Sequence, residues 1–297
     1  MITLDLLYFD AGGGHRAAAT ALKAVIELQG RPWQVRLVNL QELLDPLDVV
    51  RKLTGIRMEN IYNLLLAKGW TLGSSQLLVA MHALIRLYHG KQVGLLSEHW
   101  RCTKPDLVVS LVPNFNRAIF ESLESAAPQT PFVTILTDLA DYPPHFWIEK
   151  QRQYLICGTD RAVEQARALG YPENRLFRVS GMILRPDFYE PATVDRAVER
   201  VRLGLRADWP TGLVLFGGEG SKAMLRIVEQ LDRCGVDLQL ILICGRNKAL
   251  AAKLRSRKTR MPMLVEGFTA QIPYYMHLSD FFIGKPGPGS ISEALQM

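Results

Sequence analysis

His15 stands in Asp10-Ala-Gly-Gly-Gly-His-Arg16, directly after an apolar run and at the opening of a helical pattern that extends to Leu28. A helix start carries unpaired N–H groups and a partial positive charge, so an imidazole placed there is biased towards its neutral form. Such a group accepts a proton from an incoming hydroxyl; a purely structural histidine is the competing reading. Asp138, in Thr137-Asp-Leu139, ends another apolar run, where the carboxyl edge of a parallel sheet delivers side chains to a ligand. Its competing role is to cap a helix. A third group lies in Lys285-Pro-Gly287-Pro-Gly289-Ser290-Ile-Ser-Glu293, a turn leading into a helix with a carboxylate one turn in. Glycines let an anion approach the backbone and the helix start attracts it, which makes a cradle for a nucleoside diphosphate. Glu293 is spaced to accept hydrogen bonds from ribose hydroxyls.

Three more glycine turns follow apolar runs: Gly217-Gly218-Glu219-Gly220, Cys244-Gly245-Arg246-Asn247 and Gly267-Phe268. Their recurrence at the ends of successive strands predicts one nucleotide-sugar pocket, with the Phe268 ring offered to a flat base. No acidic cluster with metal-ligand spacing accompanies them, so helix dipole and backbone N–H groups are expected to neutralise the phosphates without a bound metal. The Gly12 turn also satisfies G-x-G-x-x-A, but a dinucleotide site needs an acidic residue at the end of the second strand, and that position falls near Asn39. His145, Phe146 and Trp147 are candidates for lining an acceptor groove, or for packing a loop.

Apolar strand-like runs alternate with helical patterns, the signature of parallel sheets covered by helices. The first half offers strands at Leu4 to Phe9, Gln34 to Asn39, Leu107 to Leu111, Phe132 to Thr137, Gln153 to Cys157 and Leu176 to Val179. The second half offers Leu213 to Phe216, Leu238 to Ile243, Met263 to Val265 and Phe281 to Ile283. The stretch from Leu53 to Trp100 lacks a strand signal and reads as a helical insertion whose aromatic and basic residues would meet a membrane surface, or as a buried helix pair. Turn formers around Arg185 to Pro191 mark a boundary, giving domains over 1–187 and 188–297.

The 297 residues are 48% hydrophobic and 22% charged, an ordinary globular mixture. Four dispersed cysteines form no C-x-x-C pair, which argues against a disulfide framework or zinc site and for a reducing cytoplasm. The sequence opens on a strand pattern without a basic leader, and its longest nearly apolar run, Leu77 to Leu87, is too short to span a bilayer. A soluble or peripheral protein is therefore expected. The net charge of +6 favours an anionic partner. No arginine-aromatic interleaving of a nucleic-acid groove occurs, so that partner is not expected to be nucleic acid.

Taken in order, Gly12-Gly-Gly-His15-Arg16, Thr137-Asp138-Leu139, Gly181 with Arg185-Pro186, Gly217-Gly-Glu-Gly220, Cys244-Gly-Arg-Asn247, Gly267-Phe268 and Lys285 to Leu295 resemble the monogalactosyldiacylglycerol synthase and processive diacylglycerol glucosyltransferase family. That family is similar in turn to the enzyme adding N-acetylglucosamine to lipid-linked muramyl peptide. The resemblance implies an α/β GT-B fold: two Rossmann-like domains facing a cleft, the first taking a diacylglycerol-like acceptor and the second holding a UDP-sugar. It implies inverting transfer of a hexose, no cofactor or essential metal, and a peripheral location at an anionic membrane surface, on the cytoplasmic inner face. Carried over by position, His15 is the acceptor-side base with Asp138 as its rival, and Gly13, Gly14, His145 and Trp147 lie on the acceptor side. Gly218, Glu219, Gly245, Asn247, Phe268, Gly287, Gly289, Ser290 and Glu293 would cradle UDP. The family pattern runs on past Met297, so the second domain is expected to be incomplete; a non-catalytic nucleotide- or lipid-binding derivative and an epimerase-like enzyme are the alternatives.

Overall fold

The computed structural model describes residues 1–10, 14–47, 83 and 85–297. They form two compact units, Met1–Arg185 and Pro186–Met297. The expected insertion at Leu53 to Trp100 lies mostly outside the described residues.

In the first unit, the strands are β1 (Ile2–Tyr8), β2 (Trp33–Asn39), β3 (Leu107–Ser110), β4 (Phe132–Ile135), β5 (Tyr154–Cys157) and β6 (Leu176–Arg178). They join in one parallel sheet of order β2-β1-β3-β4-β5-β6. Apolar runs rather than alternating ones make these strands because both faces are covered. On one face Leu4, Leu6, Val109 and Leu111 bury Ala19 and Ile26 of helix α1 (Gly14–Leu28). The small side chains of Ala18, Ala19 and Ala21 let that helix approach the strands closely. On the other face Leu7, Val108 and Val112 meet Leu40 of α2 (Leu40–Leu44), Leu96 and Trp100 of α3 (His89–Thr103) and Ile119 of α4 (Asn116–Ala126). The Trp100 indole N–H donates to Ser122 Oγ at 2.8 Å, so even the polar atom of this core ring is satisfied. Helix α5 (Asp160–Ala168) follows β5, capped by the Thr159 hydroxyl accepting from Ala162 N–H.

The second unit opens with α6 (Arg196–Arg202), started by the Asp195 carboxylate on the Ala197 and Val198 N–H groups. Strands β7 (Thr211–Leu215), β8 (Gln239–Ile243), β9 (Met263–Glu266) and β10 (Phe281–Gly284) make a parallel sheet of order β10-β7-β8-β9. Between them run α7 (Ala223–Cys234), α8 (Lys248–Arg255) and α9 (Ile272–His277), and α10 (Pro288–Gln296) follows β10. Val214, Leu240 and Leu242 pack against Met224 and Val228 of α7 and Leu250 and Leu254 of α8. Before β10, Asp280 fixes the strand to its neighbour: its Oδ2 accepts from Thr211 N–H at 2.8 Å and from the buried Arg200 Nη2 at 2.8 Å. Burial alone would raise the Asp280 carboxyl, but the Thr211 N–H and the Arg200 and Arg196 guanidiniums hold it below the usual carboxylate range.

Candidate functional site

Each sheet has a place where successive strands are added first on one side and then on the other, and ligands of such folds bind beyond the carboxyl ends there. In the first unit that place lies between β1 and β3. The turn after β1 leads into α1, whose second residue is His15. Gly13 lies outside the described residues, whereas Gly14 is exposed, with open space where a side chain would begin.

The half-buried His15 ring is held by groups from three separate segments. Its Nδ1 lies 3.1 Å from Thr137 Oγ1, just past β4. The Phe9 ring meets it edge-on at 6.5 Å, and the Trp147 ring lies tilted at 5.9 Å. The indole N–H of Trp147 donates to Asp138 Oδ2 at 2.8 Å, which draws the rival carboxylate into the same cluster. Trp147 is 0% exposed, so it presents no groove surface; it is the wall against which His15 and Asp138 are set. That wall is itself anchored. The buried Asp141 accepts from the Trp147 and His145 backbone N–H groups at 2.6 and 3.0 Å, and the Asn116 amide donates to the Trp147 carbonyl at 3.0 Å. His145 is exposed at a positive φ of 64° and does not join the His15 cluster. Asp138 caps no helix: a bend follows it, and the next helix is α5, more than twenty residues on.

Burial pushes the His15 imidazole below its ordinary value of 6.5, against the opposing pull of the Asp138 carboxylate and the Leu111 backbone carbonyl. The helix start adds to the downward bias. His15 is therefore neutral at pH 7, the state a proton acceptor needs. Because Asp138 is an opposing influence, Asp138→Asn is expected to move the His15 titration lower still, while the amide oxygen keeps the Trp147 hydrogen bond. Ring resonances followed by NMR against pH test this; an upward move would separate Asp138 from the imidazole.

In the second unit the reversal lies between β7 and β10. The turns after β7 and β8 interlock through backbone alone. Gly245, at φ 58°, puts the position of a would-be Cβ 2.1 Å from the Gly218 carbonyl oxygen, and Arg246 N–H donates to that oxygen at 2.8 Å. Gly220, at φ 61°, is also too close to the Cys244 carbonyl oxygen to carry a side chain, with 2.7 Å to the same notional atom. Only glycine meets both demands, of handedness and of space. The Asn247 side chain caps α8 through Leu250 N–H at 3.0 Å and reaches back to the Glu219 carbonyl at 3.3 Å. Asn247 thus stitches two turns together.

The third turn closes onto these. Gly267 lies beside the Gly245 carbonyl, and the Arg246 guanidinium lies 4.8 Å from the centroid of the Phe268 ring, which is 64% exposed. Gly245, Arg246, Lys248, Ala251, Arg255, Gly267 and Phe268 line a groove of about 660 Å³. The fourth turn leaves β10, which is hydrogen-bonded to β7, so it starts at the same sheet edge; it does not line that groove. There Gly287 is the extended N-cap of α10 and Pro288 its first residue, with no side chain capping the helix. The Gly289 and Ser290 N–H groups belong to a first turn that has no intrahelical acceptors, and nothing stands within 4 Å of a Cβ built on Gly289. Glu293 is half-buried on the following turn.

Sequence reasoning did not assign the aromatic and carboxylate supports of His15, nor Arg246. Arg246 directly follows a glycine needed at positive φ, and that adjacency was its signal. Among the described residues no group of three His, Cys, Asp or Glu side chains has the arrangement of a metal site.

No family model matches the chain. Over 98% of its length it is 28% identical to the probable monogalactosyldiacylglycerol synthase 2 of Oryza sativa subsp. japonica and to the monogalactosyldiacylglycerol synthase of Spinacia oleracea, both chloroplastic. It is 29% identical over 99% of its length to monogalactosyldiacylglycerol synthase 3 of Arabidopsis thaliana. The chain spans 63%, 56% and 64% of these three relatives' own lengths. Among solved structures, MurG of Acinetobacter baumannii superposes with a TM-score of 0.57 at 12% identity, over 99% of this chain and 74% of that one. A glycosyltransferase of Rickettsia africae gives 0.54 at 14% identity, over 100% and 77%. A putative UDP-N-acetylglucosamine 2-epimerase of Listeria monocytogenes gives 0.51 at 16%, over 96% and 75%. These likenesses concern the fold, which is shared by transferases and an epimerase. With two parallel α/β units, glycine turns at one sheet edge and similarity along nearly its whole length, the chain is similar to the monogalactosyldiacylglycerol synthases and has the GT-B fold.

Proposed function

We propose that this chain carries the machinery of an inverting glycosyltransferase that moves a hexose from a UDP-sugar to a diacylglycerol-like lipid. The observation that carries the reading is the backbone interlock of Gly218, Gly220 and Gly245 beside the uncapped start of α10. Two strand spacings of about 4.8 Å separate the β7 and β9 turns, so about 10 Å lies between a diphosphate at Gly217 to Gly220 and a base at Phe268. Gly287, Gly289 and Ser290 receive phosphate oxygens, and Glu293 accepts from the ribose.

On the acceptor side the lipid hydroxyl gives its proton to His15 as its oxygen bonds to the anomeric carbon, and the bond from that carbon to UDP breaks on the opposite face. Charge growing on the leaving diphosphate is met by helix-terminal N–H groups, so the same contacts that bind the donor lower the barrier. Asp138 steadies the imidazolium formed. The relatives' names make galactose the first sugar to test. We place the protein at the surface of an anionic membrane, on its cytoplasmic inner face; among the described residues no helix is long and apolar enough to cross one.

Incubation of the chain with labelled UDP-galactose and vesicles of diacylglycerol and anionic phospholipid is expected to give a labelled galactolipid and free UDP. Label recovered only as an altered sugar nucleotide would favour epimerisation, and UDP binding without any product would favour a non-catalytic protein.

A further inference from the structure

The inference rests on the donor-site reading and concerns what occupies that site before the donor arrives. Arg246 stands where the three turns meet. Its backbone is fixed, through the N–H bond to the Gly218 carbonyl at 2.8 Å. Its side chain is exposed and engages two partners at once: Nη1 lies 3.2 Å from Glu219 Oε1, and the guanidinium lies over the Phe268 ring at 4.8 Å. These partners offer what a nucleoside diphosphate also offers, namely anionic oxygens for the guanidinium fork and a flat π face. The contact therefore fills the Phe268 face on which a base would stack and uses the cation that a diphosphate would seek.

We propose that Arg246 is an exchangeable latch: Glu219 holds it across Phe268 until a nucleoside diphosphate takes the guanidinium and uncovers the ring. Glu219 is then a competitor of the donor and not one of its ligands, which revises its expected place in the cradle. The chemistry favours the exchange, since a diphosphate presents more negative charge than one carboxylate and is held by several N–H groups as well. The Glu219 carboxylate, left without its cation, faces solvent, where it costs little; its side chain is already 62% exposed.

The latch makes a prediction of sign. Glu219→Gln is expected to bind UDP about two- to fivefold more tightly than the unsubstituted chain, the scale of releasing an exposed ion pair. Arg246→Ala is expected to bind it about tenfold more weakly, through loss of a charge-assisted contact. In the Arg246→Ala background, Glu219→Gln should have no effect beyond about 1.5-fold, because no latch remains to release. Titration calorimetry with UDP on the full chain reads all four proteins. Weaker binding by Glu219→Gln, or an equal gain in both backgrounds, overturns the latch while leaving the donor site standing; absence of UDP binding by the unsubstituted chain overturns both. Both substituted side chains are exposed, and thermal melting checks that the fold survives.

Discussion

Replacing His15 by alanine is expected to lower turnover about 10²- to 10⁴-fold, the range a positioned general base contributes. UDP affinity should stay within about twofold, because the turns proposed to hold the donor belong to the other compact unit. The split between turnover and donor binding is the informative part. Loss of a packing partner for Phe9 and Trp147 also lowers stability, so the comparison is made with His15→Gln, which keeps volume and hydrogen bonding at Thr137 but supplies no base near neutral pH. Single-turnover transfer with preloaded donor measures the effect. Turnover near that of the unsubstituted chain in both variants would pass the base to Asp138, which the Trp147 indole already holds in the same cluster.

Gly245→Ala is expected to damage donor binding as His15→Ala damages chemistry, by a smaller factor. The added methyl would meet the Gly218 carbonyl oxygen at 2.1 Å and its carbon at 2.6 Å, contacts that no rotamer change relieves because both sides are backbone. The φ of 58° adds about 1–2 kcal/mol for any residue with a Cβ. Forcing the turns apart costs about 1–3 kcal/mol more. The turns must therefore separate, which breaks the Arg246 to Gly218 hydrogen bond and displaces Phe268 with it. UDP affinity should fall by at least about tenfold and thermal stability should drop, both read on the same sample. A Gly245→Ala protein that binds UDP normally would show that the β7 and β8 turns do not grip the donor.

Much of this was legible in the order of residues because the strands are covered on both faces. Continuous apolar runs such as Leu240 to Ile243 leave little room for another reading, and β8 is buried at every position. Glycine turns were legible for a related reason: Gly217, Gly220 and Gly245 all adopt positive φ, which glycine alone adopts without cost. The surroundings of His15 were not legible. Its contact with Thr137 joins positions 122 residues apart, and no local pattern encodes which side chain of β4's far end will face α1. Trp147 was ambiguous for the same reason: an aromatic in a proline-bearing loop reads equally as surface or filling, and only the Asp141 and Asn116 bonds to its backbone decide for filling. The part played by Arg246 was not legible either, since the facing carboxylate and ring lie on other turns.

The two units build their candidate sites from different material. Around His15 the arrangement is written in side chains, where a tryptophan, a threonine and two carboxylates can each be exchanged by one substitution. Around Gly218, Gly220 and Gly245 it is written in main chain, where neighbours are interlocked and replacements are forbidden by space. Under the proposed function, acceptor preference is free to drift among relatives while the nucleotide grip stays put, so divergence within this lineage should accumulate in what receives the sugar and spare what delivers it.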